Sequence, residues 1–305
     1  MATRDVYNEQ VQLLVRALPY IAEEQVFALK GGTAINLFIR DLPRLSVDID
    51  LTYLPIETYD ASVAGIDAAL ERITARIREK IPGSQVNQQR TDDGHIERIH
   101  VQQGRVGIKI EVTPVLRGVV YDPVVMQVSA VVEDTFGFAE TQVVSFADLY
   151  AGKLVAAFDR QHPRDLYDVR LLLQQEGITD DLRRAFIAYA LQSRKPLNVL
   201  LSPPRRNIAA KYAQEFEGMT LEPVSLQDLE ATREAMISTV VGDMPQDHRQ
   251  FLMTFKRGEP DWALLGLPKV AELPAVKFRI QKLDALPVDA RAEQLELLER
   301  VLFQA

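Results

Sequence analysis

Hydrophobic positions recur along this chain with two different periods, and the change from one to the other divides it. Val11, Leu14, Val15 and Leu18 fall at helical spacing, so Val6 to Ile21 is predicted to form an amphipathic helix. The short apolar run Val26-Phe27-Ala28-Leu29 reads as a buried strand, Gly31-Gly32 as a turn, and Ala34 to Ile39 as a short core helix. From Val47 to Tyr53 the pattern alternates: Val47, Ile49 and Leu51 share one face, Asp48 and Asp50 the other. A second amphipathic helix is predicted from Thr58 to Lys80, with Val63, Ile66, Leu70, Ile73 and Ile77 inward and Pro82-Gly83 as its stop. Strand-like runs follow around Gln85 to Arg90, Ile96 to Gln102 and Val106 to Val112. Asp92-Asp93-Gly94 and Gln103-Gly104 separate them, as in a meander of hairpins. Val115 to Thr141 reads as irregular and strand-rich.

Near Val144 the two-residue period disappears. Ser145 or Asp148 is placed to cap a helix, and Pro163 to start another. Further helices are expected over Asp168 to Gln175, Asp180 to Gln192, Pro204 to Phe216, Leu226 to Val240, Gln246 to Lys256 and Ala290 to Phe303. The fold class is therefore α+β. Residues 1–144 form a mixed sheet flanked by helices, and residues 145–305 form an all-helical domain. The 305 residues are enough for one large or two ordinary domains.

Composition narrows the chemistry. No cysteine is present, which excludes disulfides and thiolate metal sites. The four histidines are dispersed, which argues against zinc. A formal charge of −8 argues against a generally basic nucleic-acid binder, though not against a local basic patch. No apolar signal core or membrane-spanning run is visible, so the expected location is cytoplasmic and no membrane partner is expected.

Two carboxylates on one strand face repel each other unless a cation lies between them. A hard divalent ion such as Mg²⁺ suits oxygen ligands and also takes oxygens from substrate phosphates. Glycines at Gly31 and Gly32 let backbone N–H groups approach a phosphate, and Thr33 adds a hydroxyl. Alone, an Asp-x-Asp is usually a solvated strand edge and a Gly-Gly merely a turn. In this order they describe a site for a metal-bound nucleoside triphosphate. Ser46 shares the face of Asp48 and Asp50, where it either reaches the nucleotide or caps the strand entry. Arg40 and Arg44 are either surface charges or phosphate contacts.

Gly31-Gly32-Thr33-Ala34-Ile35-Asn36-Leu37, followed by Arg44-x-Ser46-x-Asp48-Ile49-Asp50-Leu51, resembles the AbiEii family of the DNA polymerase β-like nucleotidyltransferase superfamily. Its members are toxins of type IV toxin–antitoxin systems, including the MenT tRNA nucleotidyltransferases. The resemblance implies a third metal-binding carboxylate, for which Glu111 is the matching position, with Lys109 in the same motif. Read alone, the alternation around Lys109 and Glu111 is that of any surface strand. A second block also matches: Lys153, then Arg164-Asp165-Leu166-Tyr167-Asp168-Val169, where family members end in leucine and need the lysine and the first aspartate for activity. Helical spacing puts Lys153 among apolar and small residues. The plain readings of that block are a helix-dipole carboxylate at Asp165 and an i,i+4 pair between Arg164 and Asp168.

By this resemblance Asp48, Asp50 and Glu111 hold two Mg²⁺ ions. Gly31, Gly32, Thr33, Ser46 and Lys153 bind the nucleotide, and Lys153 and Asp165 of the helical domain serve the same site. The substrate is a nucleoside triphosphate and the acceptor a tRNA 3′ end; pyrophosphate is released and growth stops. The implied partner is an AbiEi-type antitoxin encoded nearby. Arg194, Lys195, Arg205, Arg206 and Lys211 lie in a segment without acidic residues, which either steers RNA or is a solvated basic loop. Trp262 is expected in the core. The rival readings are a nucleotidyltransferase acting on a small molecule or protein, and a non-catalytic binding module.

Overall fold

The computed structural model describes residues 2–304, and its chain separates into two units. The first is Met1–Ser145 together with Met219–Glu222; the second is Phe146–Gly218 and Pro223–Ala305.

In the first unit, helix α1 (Ala2–Ala22) buries Val11, Leu14 and Leu18 completely. Strand β1 (Phe27–Lys30) leads directly into a short helix, α2 (Gly31–Ala34), which continues as a π-helical turn over Ile35–Ile39. The expected Gly-Gly turn is thus the first turn of that helix. Strand β2 (Asp48–Tyr53) and helix α3 (Tyr59–Lys80) follow. Thr58 caps α3 by accepting the Ala61 N–H. Strands β3 (Ser84–Arg90), β4 (Ile96–Gln103) and β5 (Val106–Arg117) make the meander. The stretch read as irregular holds strand β6 (Val124–Gln127), a helix α4 (Ala130–Phe136) that alternation did not suggest, and then β7 (Glu140–Val143).

The seven strands form one sheet in the order β3-β4-β5-β2-β1-β7-β6. It is mixed: β2 runs parallel to β5 and antiparallel to β1, and β1 runs parallel to β7. Helix α3 lies against β3, β4 and β5, and α1 against β5, β7 and α3. Ile49, Leu51, Ile108 and Ile110 are buried, while Asp48, Asp50 and Glu111 alternate with them and stay partly exposed. Met219–Glu222 adds a short antiparallel link. Leu45 N–H donates to Met219 O at 3.0 Å and Leu221 N–H to Pro43 O at 2.9 Å, with Arg44 and Thr220 paired.

The second unit is helical: α5 (Phe146–Arg160), α6 (Pro163–Gln175), α7 (Asp180–Leu191), α8 (Leu197–Leu201), α9 (Ala209–Glu215), α10 (Leu226–Ile237), α11 (Gln246–Arg257), α12 (Trp262–Leu265), α13 (Pro274–Asp284) and α14 (Val288–Phe303). Its core contains Tyr150, Phe158, Phe186, Phe251 and Phe255. The helix expected from Pro204 begins only at Ala209, because residues 202–208 form a hydrogen-bonded loop. No helix among the described residues is long and apolar enough to cross a membrane.

Glu24, 5 % exposed, follows α1 and fastens it to α3. Arg72 donates to it at 2.9 and 2.6 Å, and Arg76 at 2.6 Å. Burial pushes the Glu24 carboxyl up, but the two guanidiniums outweigh that and hold it below its usual value. A depressed carboxyl stabilises the fold above its unfolded pKa, about 4, and loses that contribution as pH falls through the folded value. Glu24→Gln is therefore expected to lower unfolding free energy at pH 7 by about 1–3 kcal/mol. In urea titrations the gap from wild type should narrow progressively below about pH 4.

Candidate active site

The first group of predicted residues assembles where β1, α2 and β2 meet. Gly31 has φ +79°, and a Cβ there would collide with Asp50 Oδ2. A Cβ on Gly32 would stand 2.7 Å from Ser46 Oγ and 2.8 Å from Arg44 Nη2. These glycines are needed because carboxylate, hydroxyl and guanidinium press directly on the backbone. Thr33 is fully buried. Its hydroxyl donates to Asp48 O at 2.5 Å and lies 3.3 Å from Ser46 Oγ, which fastens the glycine turn to the start of β2. Asn36, also buried, donates to Gly32 O at 2.7 Å and accepts the Arg44 N–H at 3.3 Å. Ser46 N–H donates to Tyr7 Oη at 3.1 Å. Arg44, 3 % exposed, is not a surface charge: its Nη1 donates to Leu45 O at 2.8 Å.

The carboxylates occupy one row of the sheet. Lys30 of β1 is opposite Asp50 of β2, Asp50 is opposite Glu111 of β5, and Glu111 is opposite Arg98 of β4. Two anions thus stand side by side with a cation at each end. Arg98 Nε is 2.5 Å from Glu111 Oε1. Burial lowers the pKa of Lys30, and the charge of Asp50 works against that. Asp48 lies two residues along β2, opposite Lys109. Sequence reading gave Lys30 and Arg98 no role. Among the described residues no three His, Cys, Asp or Glu side chains converge as a ready metal centre, and Glu111 is turned to Arg98. The donor set is nevertheless the one Mg²⁺ uses when substrate phosphates complete its shell: one or two carboxylates beside a backbone turn.

The second group lies within the helical unit. Lys153 and Arg160 are seven residues apart on α5 and so share a face, as do Asp165 and Asp168 on α6. Lys153 Nζ is 2.9 Å from Asp165 Oδ1 and 2.9 Å from Asp168 Oδ2. Arg160 Nε is 2.6 Å from Asp165 Oδ2, with Nη2 3.1 Å from Oδ1. Both aspartates are buried, Asp168 completely. Burial works to raise the pKa of Asp165, but Lys153 and Arg160 hold it far below the aspartate range. Asp165 is thus held as an anion by the two cations that contact it. The Arg164–Asp168 surface pair does not form: Asp168 serves Lys153, and Arg164 lies 3.8 Å from Glu215. Sequence reading missed the roles of Arg160 and Asp168.

The basic residues are divided. Lys195 is 2.5 Å from Asp159 Oδ1, and Arg205 is 2.8 Å from Glu234 Oε2. Arg194, Arg206 and Lys211 are exposed. Trp262 is half-buried, outside the fully buried core, and packs on Phe251 at 5.2 Å between ring centroids.

Residues 12–276 match the model of a family described as the nucleotidyl transferase AbiEii toxin of type IV toxin–antitoxin systems. No curated protein matches the chain. Among solved structures, it is similar to MenT4, a nucleotidyltransferase toxin from Mycobacterium tuberculosis. That likeness has a TM-score of 0.58 and 18 % identity, and spans 91 % of this chain and 92 % of that one. At such identity it shows the fold alone.

Gly31→Ala is expected to cost about 1–3 kcal/mol from the left-handed backbone and to displace Asp50. Melting temperature and any activity that depends on Asp50 should fall together. Asp165→Asn removes both hold on Arg160 and half the hold on Lys153. Because Asp165 titrates below its unfolded value, the stability lost at pH 7 should shrink as pH falls below about 4, measured by denaturant midpoints across pH.

Proposed function

The chain belongs to the AbiEii family of nucleotidyltransferase toxins, and on that premise we propose that it transfers a nucleotide from a nucleoside triphosphate to the 3′ hydroxyl of a tRNA. Pyrophosphate leaves, and growth arrest is the cellular outcome. The observation that carries this reading is the Lys30–Asp50–Glu111–Arg98 row, with Asp48 beside it, Gly31 pressed against the Asp50 carboxylate and Gly32 against Ser46 and Arg44. A plain surface strand has no reason to pair two carboxylates and then deny the neighbouring backbone a Cβ.

In this proposal Asp48, Asp50 and Glu111, the last exchanging Arg98, hold magnesium, which when bound would acidify the acceptor hydroxyl and neutralise the leaving group. Gly31 and Gly32 present backbone to the phosphates, with Arg44 as the cation beside Gly32. Thr33 and Ser46 fix the turn so that it is formed before substrate arrives. Lys153 stabilises the negative charge that grows on the phosphates during transfer, and Asp165 and Asp168 keep it oriented. Arg194, Lys195, Arg205, Arg206 and Lys211 steer the acceptor backbone. The partner that restrains the toxin is an AbiEi-type antitoxin encoded nearby. A small-molecule or protein acceptor is the alternative, favoured by the net charge of −8 and by the pairing of Lys195 and Arg205 with carboxylates.

Incubation with labelled nucleoside triphosphates, magnesium and total RNA should place label on tRNA 3′ ends. Label confined to protein or to a small molecule would overturn the tRNA acceptor. Expression in a bacterium should arrest growth, and Asp48→Ala should relieve the arrest. Sequencing of tRNA 3′ ends after induction reads the same event in the cell.

A further inference from the structure

Gln161 sits between α5 and α6 with φ +50° and no exposed surface. An L residue with a flexible side chain gains nothing from the left-handed region, where glycine or asparagine is the ordinary choice. Such strain persists only where surrounding bonds enforce it. Here they come from its own amide. Nε2 donates to Pro204 O at 2.8 Å, and Oε1 accepts the Arg206 N–H at 3.0 Å and Arg233 Nη1 at 3.3 Å. Arg233 Nη1 also donates to Arg206 O at 2.9 Å. Both polar groups of the Arg206 backbone are therefore clamped. The neighbouring guanidinium of Arg205 is tied to Pro203 O and Glu234. That of Arg206 makes no ion pair among the described residues and is exposed.

The two residues flanking Gln161 both serve the charged cluster. Arg160 grips Asp165. His162 caps α6, its ring nitrogen accepting the Arg164 N–H at 3.2 Å, so that Asp165 lies in the first turn. One strained residue thus has its backbone in the Lys153–Asp165 turn and its side chain in the loop that presents Arg206. Prepaid backbone order of this kind raises the value of a single phosphate contact, because no loop has to be fixed on binding.

We propose that Gln161 is a positioning residue that holds Arg206 beside the Lys153–Arg160–Asp165 cluster as a contact for a phosphate of the RNA acceptor. This rests on the RNA reading given above and adds which cation meets the strand and what places it.

The test is steady-state transfer to RNA, over a range of salt, by wild type, Gln161→Gly, Arg206→Ala and the double variant. Glycine accepts φ +50° without strain, so Gln161→Gly removes the amide while keeping the turn; melting curves check that each variant is folded. Each single variant should raise the acceptor KM roughly tenfold, the size of one lost charge-assisted contact, with kcat and the triphosphate KM unchanged. The dependence of log KM on log salt should lose about one unit of slope in each. In the Arg206→Ala background, Gln161→Gly should add nothing, since it acts through the residue already removed. An unchanged acceptor KM in folded Gln161→Gly, or full additivity with Arg206→Ala, would overturn the inference and leave the proposed function standing. Absence of RNA labelling by the wild type would overturn both.

Discussion

Two like charges on adjacent strands are the constraint from which this sheet is built. Asp50 and Glu111 face each other across β2 and β5, an arrangement that ordinarily destabilises a strand pair. The sheet order answers it. Placing β1 outside β2 and β4 outside β5 brings Lys30 and Arg98 to the two ends of the row. The antiparallel β4–β5 hairpin fixes one end, and the mixed β1–β2–β5 core fixes the other. The glycines then allow the backbone to close on Asp50, and Thr33 and Asn36 tie that backbone to β2 and to Arg44. In this state the pair is tolerated by cations the protein supplies itself. The proposed chemistry replaces part of that compensation when a metal-bound triphosphate enters.

The helical unit poses the mirror problem. Lys153 is a buried cation, and it is matched by two buried carboxylates whose own desolvation is offset by it and by Arg160. A lysine held from two sides has little rotational freedom, which suits the role proposed for it, a charge that stays fixed while phosphate charge develops. Lys153 and Arg160 hold the Asp165 carboxyl below its usual range, which favours the proposed holding task over proton transfer.

Much of this was legible in the sequence, for reasons that can be named. Alternation over Asp48–Tyr53 and Val106–Val112 gave the carboxylate faces, because one side of each strand is buried. The heptad-like spacing of Val63 to Ile77 gave α3. The family motifs named Asp48, Asp50, Glu111, Lys153 and Asp165, and the match over residues 12–276 bears out the family. What was missed depends on contacts between strands or helices distant in sequence. Arg98 depends on the hairpin register: the turn is Gly104-Arg105 and not Gln103-Gly104, and that shift makes Arg98 the partner of Glu111. Lys30 and Arg160 look like ordinary surface charges until a partner arrives from another element, whereas Asp168 stood in the family motif but was read as the surface partner of Arg164 and not of Lys153. Helix α4 and the unwound loop 202–208 were hidden by short, mixed patterns in which tertiary hydrogen bonds outweigh propensity. Gln161 had no signal at all, since nothing in Arg-Gln-His-Pro announces a left-handed glutamine.

The strip Met219–Glu222 returns to the sheet unit after Phe146–Gly218 of the helical unit, and it bonds to Pro43 and Leu45 on either side of Arg44. The guanidinium that crowds Gly32 therefore stands on a loop completed by a late part of the polypeptide. During translation, the loop cannot gain this support until synthesis has passed residue 222, well after every strand of the sheet has been made. The nascent chain thus has an interval in which the acidic row can form while the loop next to the glycines is still unfinished.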